Sequence, residues 1–384
     1  MHTFNYTFGE REGATVLKRS VGPPVYLRGY NILPQIGENT APLGHRVFIV
    51  GGKTALSVAQ TAVVSALEAA DLDIVGMEWY GGQCSWTNVH ALSRKAQAAR
   101  AQCIIAVGGG RALDTTKAAA FASALPLITV PTIAATCAAW TPLSAIYSDD
   151  GEYLEFSRKA ALPSAVLVDT KIISQAPVRF LVSGLGDTLA KWYELAASTR
   201  GRSLSAPVRA GLALGKLCKE IIVEAGPTAY RSAQLGQPSE ALDQVVDTII
   251  AIAGSVSGLG GDEARTAAAH AIYSGLTVVE AVHMMVHGEI VGFGILAQLA
   301  LENRPSEEIQ EFLTLAKQIG LPITLPQIGI TELSNADWQR IASLSLAVED
   351  MAAMPFPVTT DMVIRAIQQA DSWGQAFLQE NASS

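Results

Sequence analysis

Charge is scarce in this sequence, and so are cysteine and histidine. Charged side chains make up 16% of the 384 residues, and the balance is acidic, with a formal net charge of −8. No basic run offsets it, which excludes a broad nucleic-acid surface. Cys84, Cys103, Cys137 and Cys218 are scattered, without the spacing of a zinc finger or a disulfide framework. A reducing cytoplasm suits them. The N-terminal stretch, MHTFNYTFGEREGATVLKRS, lacks a basic cap followed by an apolar core, so no secretory signal is expected. The most apolar later stretch, Val245–Leu259, is interrupted by Asp247, Gly254 and Gly258 and is too short and broken to span a bilayer. There is no internal repeat and no low-complexity segment. These absences leave a soluble, cytoplasmic globule with neither a nucleic-acid nor a membrane partner.

Apolar residues, at 49%, are plentiful, and the length exceeds one ordinary core, so two domains are expected. Up to about Pro177, short β-rich runs alternate with helical patterns: strands at Val47–Val50, Leu72–Trp79, Cys103–Val107, Leu127–Val130 and Ala165–Val168, helices at Ala55–Ala69, Asn88–Arg100 and Ala112–Ala124. Ala145–Phe156 reads as a hairpin turning at Asp149-Asp150-Gly151. Such alternation implies crossovers and a mostly parallel sheet. An antiparallel strand near the N-terminus is also expected, and with an apolar helical surface it would permit a homo-oligomer. Beyond Pro177 only helical patterns follow, near Asp187–Ser198, Pro207–Ala225, Ser239–Leu259, Asp262–Val282, Glu289–Glu302, Ser306–Ile319 and Asn335–Ala347, with Gly226-Pro227, Arg304-Pro305 and Leu321-Pro322 as punctuation. The expected architecture is an α/β domain over 1–177 and an all-α domain over 178–384, with the substrate in a cleft between them. The C-terminal Asn381–Ser384 is expected to fray.

Cys103–Ala120, CIIAVGGGRALDTTKAAA, carries the strongest local signal. An apolar strand stops at Gly108, Gly109 and Gly110, and a helix with Asp114 and Lys117 follows. Bare backbone N–H groups beside the positive end of a helix make a site for a phosphate or pyrophosphate. The pattern is neither the P-loop nor Gly-x-Gly-x-x-Gly. The plainer alternative is a tight turn with no ligand.

Three other features could carry chemistry. Asp187, at the end of Gly184-Leu185-Gly186-Asp187, reads by itself as an N-cap of the helix that holds Lys191 and Glu194. Three of the six histidines, His270, His283 and His287, fall between Ala269 and Gly288 in an apolar helical region. On a helix His283 and His287 share a face. Each could be an ordinary hydrogen-bonded core histidine. Buried imidazoles and a carboxylate need partners, however, and a shared divalent metal would satisfy all of them while leaving a coordination position open. Finally, Pro131–Tyr147 follows a strand and bears hydroxyls at Thr132, Thr136, Thr141 and Ser144. These could bind a phosphate or a polar cofactor edge, or simply satisfy their own backbone.

Taken in order, Gly-Gly-Gly-x-x-x-Asp-x-x-Lys, Pro-Thr-x-Ala, Gly-x-Gly-Asp, the first histidine motif and His-Gly-Glu resemble the iron-containing alcohol dehydrogenase superfamily. The likeness is greatest to its glycerol dehydrogenase branch, and PTIAATCAAWTPLS and GDTLAKWYE look most like the bacterial hydroxycarboxylate dehydrogenase A type. It runs from about Pro24 to the end. The resemblance implies a Rossmann-like domain, a helical domain and a nicotinamide cofactor in the cleft. Gly108, Gly109 and Gly110 would take its pyrophosphate, with Asp114, Lys117, Thr132, Thr141, Leu143 and Tyr147 along the cofactor. Asp187, His270 and His287 would be the metal ligands, with zinc first and iron, manganese or nickel also suited. His283 matches a histidine near the reacting centre.

Two departures from that branch bear on substrate and cofactor. Where the glycerol enzymes place an aspartate against the polyol, this chain has Cys137 as its substrate-side residue. A thiol is no ionised acceptor for two hydroxyls at neutral pH, and losing a negative charge suits a substrate with its own carboxylate. After the first strand, where NAD-preferring relatives carry an acidic residue, Gly51-Gly52-Lys53 offers a cation, so NADP is favoured over NAD. The expected reaction is hydride transfer between NAD(P)H and a small 2-oxo acid or 2-hydroxy acid, with the divalent ion as Lewis acid and His283 or water relaying the proton. Lys191 and Arg111 are candidates for the substrate carboxylate, although each reads first as a solvated charge. The alternatives are a polyol dehydrogenase, a dehydroquinate-synthase-like lyase and a nucleotide-binding protein without turnover.

Overall fold

The computed structural model describes residues 19–261 and 264–381. The N-terminal stretch up to residue 18, Asp262 and Glu263 at the start of one expected helix, and residues 382–384 of the expected frayed end lie outside the described residues.

The chain begins with β1 (Tyr26–Gly29) and α1 (Ile36–Thr40), then alternates β2 (Arg46–Gly51), α2 (Lys53–Ala69), β3 (Asp73–Trp79), α3 (Trp86–Ala98), β4 (Cys103–Gly108), α4 (Gly110–Ser123) and β5 (Leu127–Pro131). A hairpin of β6 (Ser144–Tyr147) and β7 (Tyr153–Ser157) precedes β8 (Ala165–Asp169). Six strands form one sheet in the order β1-β8-β5-β4-β2-β3, and every pairing in it is parallel. The mostly parallel sheet expected from the alternation is therefore present. The N-terminal strand departs from expectation: β1 runs parallel to β8, Tyr26 opposite Val166, and is not antiparallel.

The central strand β4 is buried on both faces, which explains its unbroken apolar run. Cys103, Ile105 and Val107 pack with α2 through Ala59, Val63 and Leu67. Ile104 and Ala106 join a larger core on the opposite face, continuous with Leu185, Leu189 and Phe293 of the helices that follow. β2 and β4 are neighbours, yet the chain leaves β2 toward β3 and returns past it to β4. Their carboxyl ends thus flank the point where strand order reverses, where open parallel sheets hold ligands.

Beyond β8 the described residues form helices: α5 (Thr170–Gln175), α6 (Arg179–Ser198), α7 (Ala206–Gln234), α8 (Glu240–Asp247), α9 (Ala253–Gly260), α10 (Ala268–Leu276), α11 (His287–Leu301), α12 (Ser306–Gln318), α13 (Asn335–Ala347) and α14 (Thr360–Glu380). Several expectations are corrected here. α6 starts at Arg179, so Asp187 lies mid-helix and is no N-cap. α7 runs straight through Gly226-Pro227. α8 and α9 are joined by a π-helical turn, Thr248–Ile252. His283 and His287 do not share a helical face, because Glu280–Met284 is a separate 3₁₀ turn and His287 opens α11.

The stretch Glu240–Gly260 is long and apolar enough to cross a membrane by length and composition alone, but 56% of it is buried inside the protein. Near it, Tyr26 donates to Asp247 at 2.6 Å and Arg28 pairs with Asp243 and Asp247 at 2.6 and 2.9 Å. Those contacts clamp the edge strand β1 onto the helices.

Candidate active site

Two helices begin at the strand-reversal point without a side-chain cap. Gly52 precedes α2 and Gly109 precedes α4, and neither first turn contains an acidic residue. The free N–H groups and helix dipoles therefore face the same crevice unneutralised. Gly108 turns with φ +154°, and a Cβ there would stand 2.8 Å from the Cβ of Ala112. At Gly109 a Cβ would meet Ile133 at 2.6 Å, whereas at Gly110 it would project into space with nothing nearer than 3.6 Å. The bend is thus kept bare where an oxygen-rich ligand would need room. Beside it the exposed Lys53 holds its ammonium 4.4 Å from the ring centre of Trp79 at the end of β3.

Asp114 and Lys117 serve the loop that covers this crevice. The Lys117 side chain is fully buried, and its ammonium pairs with Asp114 at 2.8 Å and donates to the carbonyls of Thr141, at 2.9 Å, and Leu143. Asp114 also accepts from the Ala145 N–H at 3.0 Å. Burial raises the Asp114 pKa against the pull of Lys117. Lys117 is engaged by two carbonyls and one carboxylate, so any influence on a cofactor passes through Thr141 and Leu143. Of the four loop hydroxyls, Thr136 caps its own turn by accepting from Ala138, and Ser144 donates to the Asp114 carbonyl. The hydroxyls of Thr132 and Thr141 carry no such bond among the described residues. Tyr147 lies beneath Arg111, 5.7 Å from guanidinium to ring centre, and interacts electrostatically with Tyr273.

A second cluster forms where α6, α10 and α11 meet. The glycines around Asp187 exist for close approach. A Cβ at Gly184 would fall 2.1 Å from the Ala134 carbonyl of the covering loop, and one at Gly186 would fall 2.2 Å from the Gly288 carbonyl of α11. From the other side, a Cβ at Gly288 would fall 1.9 Å from the Ser183 carbonyl, and the Gly288 N–H donates to Ser183 Oγ at 2.9 Å. Gly-x-Gly-Asp and His-Gly-Glu are therefore the two halves of one helix contact. It carries Asp187 to within 3.7 Å of His287 Nε2, and His270 Nε2 lies 3.3 Å from the same carboxylate oxygen. Candidate donor atoms of Asp187, His270 and His287 all lie within 4.8 Å of one another.

Behind His270 stands Glu194, fully buried and seven residues after Asp187 on α6. Its Oε2 is 2.6 Å from His270 Nδ1, and its Oε1 accepts from the backbone N–H groups of Ala267 and His270 at 2.7 and 2.9 Å. A proton held on Nδ1 by Glu194 would leave the Nε2 lone pair free for a metal ion, whereas the protonated ring directs an Nε2 proton toward Asp187. Burial alone would raise the Asp187 pKa, but Lys191 and the two imidazoles outweigh it and hold the carboxyl well below the usual range. Burial likewise works against a charged His270, yet Glu194 and Asp187 push its pKa up to about 9.

The structure brings Asp187, His270 and His287 together and leaves His283 outside. His283 is exposed, and its Nε2 lies 2.9 Å from the Thr277 carbonyl. Arg111 is exposed, as expected, but Lys191 is not a solvated charge: it is buried, 3.8 Å from Asp187. Cys137 is half-buried against an apolar cluster, and burial raises its pKa so that the thiol stays neutral. Two residues carried no role in the sequence reading. Glu194 repeats two turns after Asp187, and Tyr273 follows His270 by three positions, with its ring 4.4 Å from that of His287. Helical spacing is the signal for both.

Residues 23–170 match the family described as iron-containing alcohol dehydrogenase. A glycerol dehydrogenase of Escherichia coli O6:H1 is 38% identical over 363 residues, covering 93% of this chain and 98% of that protein. Hydroxycarboxylate dehydrogenase A of Escherichia coli K12 is 36% identical over 331 residues, covering 85% and 90%. The crystal structure of glycerol dehydrogenase from Schizosaccharomyces pombe superposes with a TM-score of 0.85 at 28% identity, covering 94% of this chain and 92% of that one.

Proposed function

The chain belongs to the iron-containing alcohol dehydrogenase family, and we propose that it transfers hydride between a nicotinamide dinucleotide and the CH–OH carbon of a small hydroxylated substrate. The observation that carries this reading is the convergence of Asp187, His270 and His287 within 4.8 Å, tied through Gly184 to the loop beside the glycine bend.

One carboxylate and two imidazoles, converging, with Asp187 and His270 buried and His287 half-buried, fit a divalent ion, and Asp187, His270 and His287 would hold it. Zinc suits the set, as do iron, manganese and nickel. When bound, the ion supplies Lewis acidity toward the substrate oxygen on the carbon that exchanges hydride. The remaining roles belong to the chain. Glu194 keeps the His270 proton on Nδ1 and the ring oriented. The uncapped start of α4 at Gly109 and Gly110 would receive the pyrophosphate, and Thr132, Thr141, Leu143 and Tyr147 would line the rest of the dinucleotide. Asp114 and Lys117 would keep that lining in place. Lys53, with no acidic residue at Gly51 or Gly52, supports NADP over NAD. A proton relay by His283 has no support in its exposed position, whereas Tyr273 lies against His287 and is linked to Tyr147. The free cysteines and mostly buried apolar helices are in keeping with a soluble, cytoplasmic enzyme organised as residues 1–177 and 178–384, and a homo-oligomer is part of the proposal.

Polyols and hydroxy acids share the reacting CH–OH carbon and differ in the charge on the neighbouring oxygen donor. The names of the relatives favour a glycerol-like polyol, the 38% identical protein being a glycerol dehydrogenase. The chain's own residues favour the second reading, a small 2-hydroxy acid, because Cys137 is neutral and Lys191 is a buried cation. Metal-quantified protein assayed with glycerol, dihydroxyacetone and a series of 2-oxo and 2-hydroxy acids, each with both cofactors, tests the proposal. Metal-dependent turnover of either substrate class is expected. Cofactor binding without turnover of any of them would sink it, and equal kcat/KM with NADH and NADPH would remove the NADP preference.

A further inference from the structure

The wall of the metal cluster holds a positive charge that the hydride transfer described above does not employ. Lys191 lies one helical turn after Asp187 on α6, with its side chain only 6% exposed. Its Nζ stands 3.8 Å from Asp187 Oδ1, too far for a hydrogen bond, and that oxygen already faces both imidazoles at 3.3 and 3.7 Å. No hydrogen bond to the ammonium occurs among the described residues. A buried ammonium so weakly engaged is costly without a further acceptor.

The charges around it add to that demand. Asp187 and Glu194 are the carboxylates that act on Lys191, and Cys137 beside it is a neutral thiol. Arg265, on the segment leading into α10, opposes Lys191 with a second positive charge, and its Nε is buried without a hydrogen-bond partner. Once a divalent ion sits on Asp187 and two neutral imidazoles, the ion and Lys191 together exceed the two carboxylates by one positive charge. In a low-dielectric site that excess attracts an anion. A neutral polyol would leave it standing; a monocarboxylate would cancel it. An aspartate in place of Cys137 would cancel it from within the protein.

We propose that Lys191 is a specificity-determining residue whose ammonium pairs with the carboxylate of a small 2-oxo or 2-hydroxy acid bound at the Asp187, His270 and His287 cluster. The pairing rests on the hydroxy-acid reading given above. It also assigns Cys137 a part: its neutrality leaves the ammonium available to the substrate.

The test compares wild type, Lys191→Met, Lys191→Arg and Cys137→Asp, each loaded with metal and whichever of NADPH and NADH wild type binds more tightly. Calorimetry measures binding of oxamate, an unreactive 2-oxo acid mimic, and steady-state kinetics give the kcat/KM ratio of pyruvate to dihydroxyacetone. Lys191→Met should weaken oxamate binding by about tenfold or more, as expected for loss of a charged hydrogen bond, and lower the ratio mainly through KM. Lys191→Arg should restore part of the binding. Cys137→Asp should lower the ratio too, and it carries the test if Lys191→Met does not fold. If wild type reduces pyruvate but oxamate affinity and the ratio are unchanged in the folded variants, the role of Lys191 is overturned while the hydroxy-acid reading stands. If wild type turns over dihydroxyacetone but neither binds oxamate nor reduces any 2-oxo acid, the hydroxy-acid reading itself falls, and this inference with it.

Discussion

Glu194 holds His270 at two points. One carboxylate oxygen lies 2.6 Å from the ring Nδ1, and the other accepts the backbone N–H of the same residue at 2.9 Å. Ring orientation and helix start are thus set by a single buried side chain. Glu194→Gln should lower affinity for a divalent ion by about 10- to 100-fold, the usual cost of losing a partner behind a metal ligand. Competition against a chromophoric chelator measures this independently of turnover. An unchanged affinity would mean that Glu194 serves only the backbone of α10.

The bend between β4 and α4 separates binding from folding. A Cβ at Gly110 would meet nothing closer than 3.6 Å, so Gly110→Ala should fold with near wild-type stability. It would also fill the bare cradle. The dinucleotide Kd, measured by fluorescence titration, should rise by about tenfold or more while the urea midpoint stays put. Unimpaired cofactor binding would place the pyrophosphate elsewhere.

Gly288 is the opposite case. A methyl group there would overlap the Ser183 carbonyl at 1.9 Å, and backbone cannot rotate aside as a side chain can. Gly288→Ala should therefore destabilise the protein by about 1–3 kcal/mol and cut its metal content, because the same contact sets the distance from His287 to Asp187. Denaturant unfolding together with elemental analysis reads both effects. Full metal loading in a destabilised variant would uncouple them.

Lys117 is a buried cation with three acceptors. Lys117→Met would strand the Asp114 carboxylate and the carbonyls of Thr141 and Leu143 in the interior, at a cost of about 3–5 kcal/mol. The loss should show as a lower urea midpoint, and a midpoint within error of wild type would contradict it.

Burial lifts the thiol pKa of Cys103 to about 11 and those of Cys84 and Cys218 to about 12, and it raises that of Cys137 as well. A raised acid pKa favours the neutral thiol, so at pH 8 the reactive thiolate is a minor species at each position. Native protein should react slowly with iodoacetamide at pH 8, and urea-unfolded protein should consume four equivalents quickly. Rapid modification of one native cysteine would contradict the burial assigned to it.

The centre of the sheet was legible because β2 and β4 are largely buried apolar runs that end in glycine. Cys103–Gly110 can hardly be anything but a strand followed by an uncapped helix. The helices were harder, because glycine and proline have two uses. Gly184 and Gly186 resemble a turn before Asp187, yet they lie inside α6, where they admit the backbone of Ala134 and Gly288. Gly226-Pro227 resembles a stop, but the packed helix α7 continues through it. In each case tertiary contact outweighed local propensity.

Residue chemistry offered Asp187 and three histidines, His270, His283 and His287, as side chains that a shared metal would satisfy, and the resemblance to the iron-containing alcohol dehydrogenases narrowed the set to Asp187, His270 and His287. Residue chemistry also proposed the bare glycine bend, while the likeness to the glycerol dehydrogenase branch marked the loss of an acid at Cys137. Distance and burial lay beyond it. Only the folded chain placed His283 in the open on a separate turn, put Glu194 behind His270, and shut Lys191 inside beside Asp187. The physical reason is that spacing along one helix specifies a face, whereas the neighbour on that face comes from another segment of the chain. Whether a lysine is a solvated charge or a buried one depends on that neighbour.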